Sequence, residues 1–248
     1  MVASRPHALL VLAACAALAP MTQAAQSCSA RSAATVTPVI ELYTSEGCSS
    51  CPPADRWLSA LKPDASFVAL AFHVDYWDRL GWKDRFASAA YTARQAEQLR
   101  SSGARFAYTP QVIIDGADRP DWSAASPLAK ARPAATVEAQ LARDGNRVTA
   151  TIAPLAGAPA RLAAYWAVTE LGHVTAVKAG ENEGATLRHD FVVRDYRPVA
   201  AWAARTDAPT TLQFELPAAG EAAHPRLVNL VVINADTGRP VQAVKLGC

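Results

Sequence analysis

The sequence predicts an α/β domain followed by an antiparallel β-sandwich-like domain, on three observations. Apolar runs at residues 39–43 and 67–72 flank a stretch with helical spacing, as a strand, helix, strand unit in a parallel sheet requires. A Cys-x-x-Cys pair, Cys48 and Cys51, falls between the first run and that helix. After the turn Asp144-Gly145-Asn146 the pattern changes to short β-like runs between turns. The divisions expected are 1–25 as an export leader, 26–144 as the α/β domain and 145–248 as the β-rich domain.

Taken in order, Arg5 and His7 precede the apolar run 8–14, and Thr22-Gln23-Ala24-Ala25 offers small residues for cleavage, as in an export signal. The alternative is a lipoprotein signal, with Leu12-Ala13-Ala14-Cys15 leading to a lipidated Cys15; the run is too short for a membrane anchor. The expected location is periplasmic or secreted. Of the five cysteines, removal of the leader leaves Cys28, Cys48, Cys51 and Cys248 in a compartment where disulfides persist. The simplest pairing joins Cys48 to Cys51 and Cys28 to Cys248. A bridge between the latter two closes a long loop, which the chain-entropy account values at roughly 4–5 kcal/mol. The alternative leaves Cys28 or Cys248 free or paired between chains.

A strand leading into two cysteines at the mouth of a helix places Cys48 near the unpaired N–H groups and positive end of that helix, which favour a thiolate. Trp57, Leu58 and Leu61 share a helical face, and Lys62-Pro63-Asp64 ends the helix. If the strands at 39–43 and 67–72 are parallel neighbours, the loops after both open on one edge, where ligands bind. His73 and Asp75 then become candidates for tuning the thiols, and Tyr76, Trp77 and Trp82 for walling a substrate groove. The alternative for His73 is a satisfied histidine at a strand end. Residues 86–99 are rich in helix formers and Ser101-Ser102-Gly103 ends them; a strand follows Tyr108-Thr109-Pro110. Residues 126–141 read as a further helix containing Val137 and Leu141.

Cys-x-x-Cys opening a helix after a strand, a second strand and helix, and then Thr109-Pro110 before a further strand resembles the thioredoxin fold. The resemblance implies an α/β thioredoxin-like domain, a cis bond at Thr109-Pro110, Cys48 as the attacking and Cys51 as the resolving cysteine, and Thr109 as the residue whose backbone pairs with an extended substrate. More narrowly, residues 41–55, Phe72-His73-Val74-Asp75-Tyr76-Trp77-Asp78, Tyr108-Thr109-Pro110-Gln111, Gly180-Glu181-Asn182-Glu183-Gly184 and Phe191-Val192-Val193-Arg194 are similar to a bacterial family of secreted thioredoxin-like proteins known as a domain of unknown function. That resemblance implies a fold and a location but no substrate.

In the second half, β-like runs recur at 148–152, 162–168, 173–177, 191–193, 211–216, 227–233 and 241–246. No Gly-rich phosphate loop, Gly-x-Ser-x-Gly turn or helix-borne zinc pair occurs, so no cofactor and no resident metal are expected. A net charge of +2 without a basic stripe argues against nucleic acid, and no second apolar run is long enough for a membrane span. Three functions remain. The first is thiol–disulfide exchange through Cys48 and Cys51 with a protein thiol, disulfide or redox partner, aided by Thr109, Pro110 and Trp77 as substrate-binding residues. The second is a binding module with a static disulfide. The third is copper or zinc handling by Cys48, Cys51 and His73.

Overall fold

Val39–Thr44 and Val68–His73 are buried at every position, as strands covered on both faces must be. They belong to a computed structural model that describes Met1 and residues 28–124, 131–218 and 224–248. The expected leader, Cys15 included, lies outside the described residues apart from Met1. In chain order the strands are β1 (Cys28–Arg31), β2 (Val39–Thr44), β3 (Val68–His73), β4 (Gln111–Ile114), β5 (Ala117–Asp118), β6 (Val137–Asp144), β7 (Arg147–Pro154), β8 (Arg161–Glu170), β9 (His173–Ala176), β10 (Thr186–His189), β11 (Val192–Ala203), β12 (Thr210–Glu215), β13 (Arg226–Asn234) and β14 (Pro240–Leu246). The α-helices are α1 (Pro52–Ala60) and α2 (Ala89–Ser102).

The expected α/β thioredoxin-like domain followed by a sandwich is overturned. Strand makes up 44% of the described residues and helix 12%, so the protein is mainly β and built from several sheets. Its principal sheet has eight strands in the order β14-β13-β8-β11-β3-β2-β4-β5, drawn from both halves of the chain. The halves meet where β11 runs parallel to β3, with Val192 opposite Ala71 and the Ala71 N–H donating to the Phe191 carbonyl at 2.8 Å. The physical reason is the free edge of β3: its buried backbone groups need partners, and a segment more than a hundred residues later supplies them.

A second correction concerns the helix expected over 126–141. Its described C-terminal part is strand β6, in which Val137, Ala139 and Leu141 are buried while Glu138 and Gln140 are exposed. A spacing of four residues puts Val137 and Leu141 on one face of a helix or of a strand alike; Ala139 between them shows a period of two.

One face of the large sheet is covered twice. Ala54 and Leu58 of α1 pack on Ile40, Leu42 and Val112, while a four-stranded sheet, β1-β6-β7-β12, brings Leu141, Ile152 and Phe214 onto Leu162, Trp166 and Leu230. On the other face α2 sets Tyr91 against Phe72. Ser88 caps α2 by accepting the Ala90 N–H, and Gly103 ends it at φ 82°, a left-handed turn suited to glycine. Disulfides join Cys28 to Cys248 and Cys48 to Cys51. Among the described residues no helix is long and apolar enough to cross a membrane.

Candidate functional site

Thr44 at the end of β2 lies opposite His73 at the end of β3, and Gln111 at the start of antiparallel β4 lies opposite Tyr43. The loops that carry Cys48, Trp77 and Thr109 therefore open on one edge. From Thr44 the chain turns at Ser45, whose carbonyl accepts the Cys48 N–H at 3.2 Å, and again at Cys48, whose carbonyl accepts the Cys51 N–H at 3.2 Å. Cys51 is the N-cap of α1.

The helix mouth differs from the expectation. Pro52 and Pro53 occupy its first two positions and have no N–H, and the Ala54 and Asp55 N–H groups both donate to the Cys51 carbonyl, at 2.9 and 3.1 Å. No first-turn donor is left for Cys48. Hydroxyls take that place: Thr109 Oγ1 donates to Cys48 Sγ at 3.3 Å, and Ser50 Oγ lies 3.4 Å from both that sulfur and the Thr109 carbonyl oxygen. Trp77 Nε1, which can only donate, gives its proton to Thr109 Oγ1 at 2.8 Å, so the hydroxyl proton of Thr109 remains for the sulfur. The Thr109-Pro110 bond is cis. With Thr109→Val, alkylation of reduced Cys48 at neutral pH is expected to slow about tenfold, since a hydrogen bond to a charged group is lost. Trp77→Phe should act in the same direction and less. An unchanged rate in a timed iodoacetamide assay would remove Thr109 from the thiolate's environment.

The two candidates for tuning the thiols lie elsewhere. His73 is fully buried, with Nδ1 2.6 Å from Asp84 Oδ2 and its ring packed on those of Phe86 and His189. Asp75 accepts the Thr92 hydroxyl at 2.6 Å and faces α2. Of the groove aromatics, Trp82 turns its indole N–H onto Glu46 at 2.8 Å and Tyr76 donates to Gln95 at 3.3 Å. Among the described residues no cluster of three or more His, Cys, Asp or Glu is placed to hold a metal ion.

Beneath the cysteine loop lies a charged layer that sequence reasoning missed. His189 sits between Glu46 and Asp55, its nitrogens 3.5 and 3.8 Å from their carboxylates. Burial alone would lower the His189 pKa, but the two carboxylates outweigh it and push it up to about 10, so the ring is charged at neutral pH. Burial likewise works against the Asp84 carboxylate, yet His73 and the backbone N–H groups of Glu46 and Phe86 hold it down at about 2. Above the loop, Glu181 and Asn182 reach Ser49 and the carbonyls of Glu46 and Cys48. The one sequence signal for that contact was the stretch 180–184 itself.

A model of the family described as protein of unknown function (DUF1223) matches residues 39–233. Among solved structures, protein AGR_C_4864 from Agrobacterium tumefaciens is 29% identical with a TM-score of 0.60, covering 86% of this chain and 94% of that one. HBP35 of Porphyromonas gingivalis shares 15% identity at a TM-score of 0.59 over 87% of this chain and 76% of its own, a likeness of fold alone. No curated protein matches.

Proposed function

The chain belongs to DUF1223, a family of proteins of unknown function, and we propose that it carries out thiol–disulfide exchange through Cys48 and Cys51 outside the cytoplasm. The observation that carries this reading is the Thr109 hydroxyl, oriented by Trp77, directed at Cys48 Sγ at a sheet edge where Ser49 and Ser50 are exposed. A donor aimed at one sulfur of the pair favours that sulfur as thiolate. In the reduced protein, the Cys48 thiolate attacks a partner disulfide; a Cys48–partner bond forms and the second partner sulfur leaves as thiolate. Cys51 then attacks Cys48 Sγ, closing the Cys48–Cys51 bond, and the partner departs reduced by two electrons. Run backwards, the same steps oxidise a partner dithiol. The Thr109 backbone beside Pro110 is the place for an extended partner chain to pair, with Trp77 at its side. Two disulfides support an oxidising compartment, periplasmic or secreted, as does the export-like leader.

The test is a trap. Reduced Cys51→Ser protein, offered oxidised periplasmic proteins, is expected to accumulate a mixed disulfide at Cys48 that dithiothreitol releases. No covalent adduct under conditions where Cys48 alkylates freely would refute exchange.

One observation favours a second reading, a binding module with a static bridge: Cys48 and Cys51 are both 0% exposed. The reduction potential separates the two. A structural disulfide lies below about −300 mV, whereas exchanging pairs lie at about −120 to −270 mV.

A further inference from the structure

The segment Gly180-Glu181-Asn182-Glu183-Gly184 has no part in the exchange chemistry, yet it holds the cysteine loop. The Asn182 side-chain amide donates to two carbonyls, Glu46 at 2.8 Å and Cys48 at 3.0 Å. Beside it, one oxygen of the Glu181 carboxylate accepts both the Ser49 N–H at 3.1 Å and the Ser49 hydroxyl at 2.7 Å. These four hydrogen bonds fasten residues 46–49.

The segment is ordered by its own backbone: Ala185 N–H donates to Asn182 and Gly184 N–H to Val177, both at 3.0 Å. Gly180, at φ 78°, lies so close to Trp82 that a Cβ there would stand 3.2 Å from the Trp82 Cβ. Its support is less secure. The hairpin β9–β10 pairs only within itself among the described strands, and a two-stranded hairpin alone is marginally stable. Its base is held by packing, with the His173 and His189 rings against Phe86 and His189 between Glu46 and Asp55. Its tip, by contrast, is held to the cysteine loop by the polar contacts of Glu181 and Asn182. With the hairpin in place neither cysteine is exposed.

We propose that the β9–β10 hairpin is a clamp on the cysteine pair. Glu181 and Asn182 are positioning residues that hold the Cys48 loop in its buried setting, and exchange proceeds from the form in which their hydrogen bonds have opened. Release frees residues 47–49 to swing outward and bring Cys48 Sγ to solvent, while Cys51 stays at the start of α1. The clamp takes its purpose from the exchange reading, but the access it controls is measurable with no partner present.

The experiment reduces the oxidised full chain with dithiothreitol and follows each disulfide by alkylation and peptide mapping. A dithiothreitol thiolate attacks Cys48 Sγ and Cys51 leaves as thiolate; the second thiol then closes the reductant's ring and releases Cys48, moving two electrons to the protein. Asn182→Ala is expected to speed reduction of Cys48–Cys51 about tenfold by removing two hydrogen bonds, with Cys28–Cys248 unchanged. Glu181→Gln, at an exposed position that leaves the fold intact, should speed it about threefold. Equal rates in the wild type and both variants overturn the clamp, as does parallel acceleration of both disulfides, the mark of general loosening. Failure of the exchange reading shows separately, as a Cys51→Ser protein that traps no partner while these rates still differ.

Discussion

Glu41→Gln is expected to lower the stability of the protein by about 3–5 kcal/mol, the range for a buried ion pair stripped of one member. Glu41 is 2% exposed on β2 and its carboxylate meets Arg94 at 2.8 Å, the Tyr43 and Tyr165 hydroxyls at 2.6 Å each, and Gln98 at 3.0 Å. Burial alone would raise its pKa; the Arg94 charge and the two hydroxyls reverse that and hold it low, so the group is ionised. Arg94 in turn lies over the Tyr165 ring. An amide at position 41 leaves the buried guanidinium with only the solvent-exposed Glu97 carboxylate, 3.8 Å away, as counter-charge, and presents one acceptor oxygen where two served. Urea denaturation measures the loss. The paired replacement Glu41→Leu with Arg94→Met should cost less than the sum of the two singles, because no charge is then stranded. A single-variant loss below about 1 kcal/mol would mean that water or movement of α2 compensates.

The second large effect is a loss of stability in alkali. His189 has a folded pKa of about 10 against 6.5 for the free side chain. A raised pKa contributes stability that is fully present below pH 6.5 and lost as pH climbs through about 10. The loss is on the order of 3–5 kcal/mol, the lower end fitting ring nitrogens that stand beyond hydrogen-bond length from Glu46 and Asp55. Stability followed by urea melts between pH 7 and 10 should fall by that amount. His189→Gln, less stable at neutral pH, should show a much flatter alkaline limb. Equal limbs in the two proteins would place the titrating group elsewhere.

Much of the site was legible before folding because its signals are local. Cys48 and Cys51 lie between an apolar strand and a helix within a dozen residues, and Ser88 and Gly103 punctuate α2 in the same short-range way. Pro52 and Pro53 were equally plain in the chain, and the loss of two donors at the helix mouth follows from the chemistry of proline alone, whereas the engagement of the Ala54 and Asp55 N–H groups by the Cys51 carbonyl does not. The role of the Thr109 side chain was less accessible: its hydroxyl matters because an indole from another loop fixes which way its proton points. His73 shows the opposite case. Sheet topology put it at the correct edge, but the side chain turned inward to Asp84, a choice decided by burial and a close acceptor.

Local patterns in the chain specify a cysteine pair at a strand-to-helix junction, two apolar strands flanking that helix, and a second half rich in strands, though several of these, such as β8 with 10 residues and β11 with 12, are longer than the short runs expected. Long-range packing alone sets the sharing of one sheet by both halves, the place of His189 between Glu46 and Asp55, and the hold of Glu181 and Asn182 on the Cys48 loop. The reason is physical. A strand's alternation or a proline's missing N–H is a property of a few consecutive residues. An unpaired sheet edge, by contrast, accepts any extended segment of suitable pattern, so the partner of β3 and the side chains that arrive with it are set only when distant segments compete to bury the same surface.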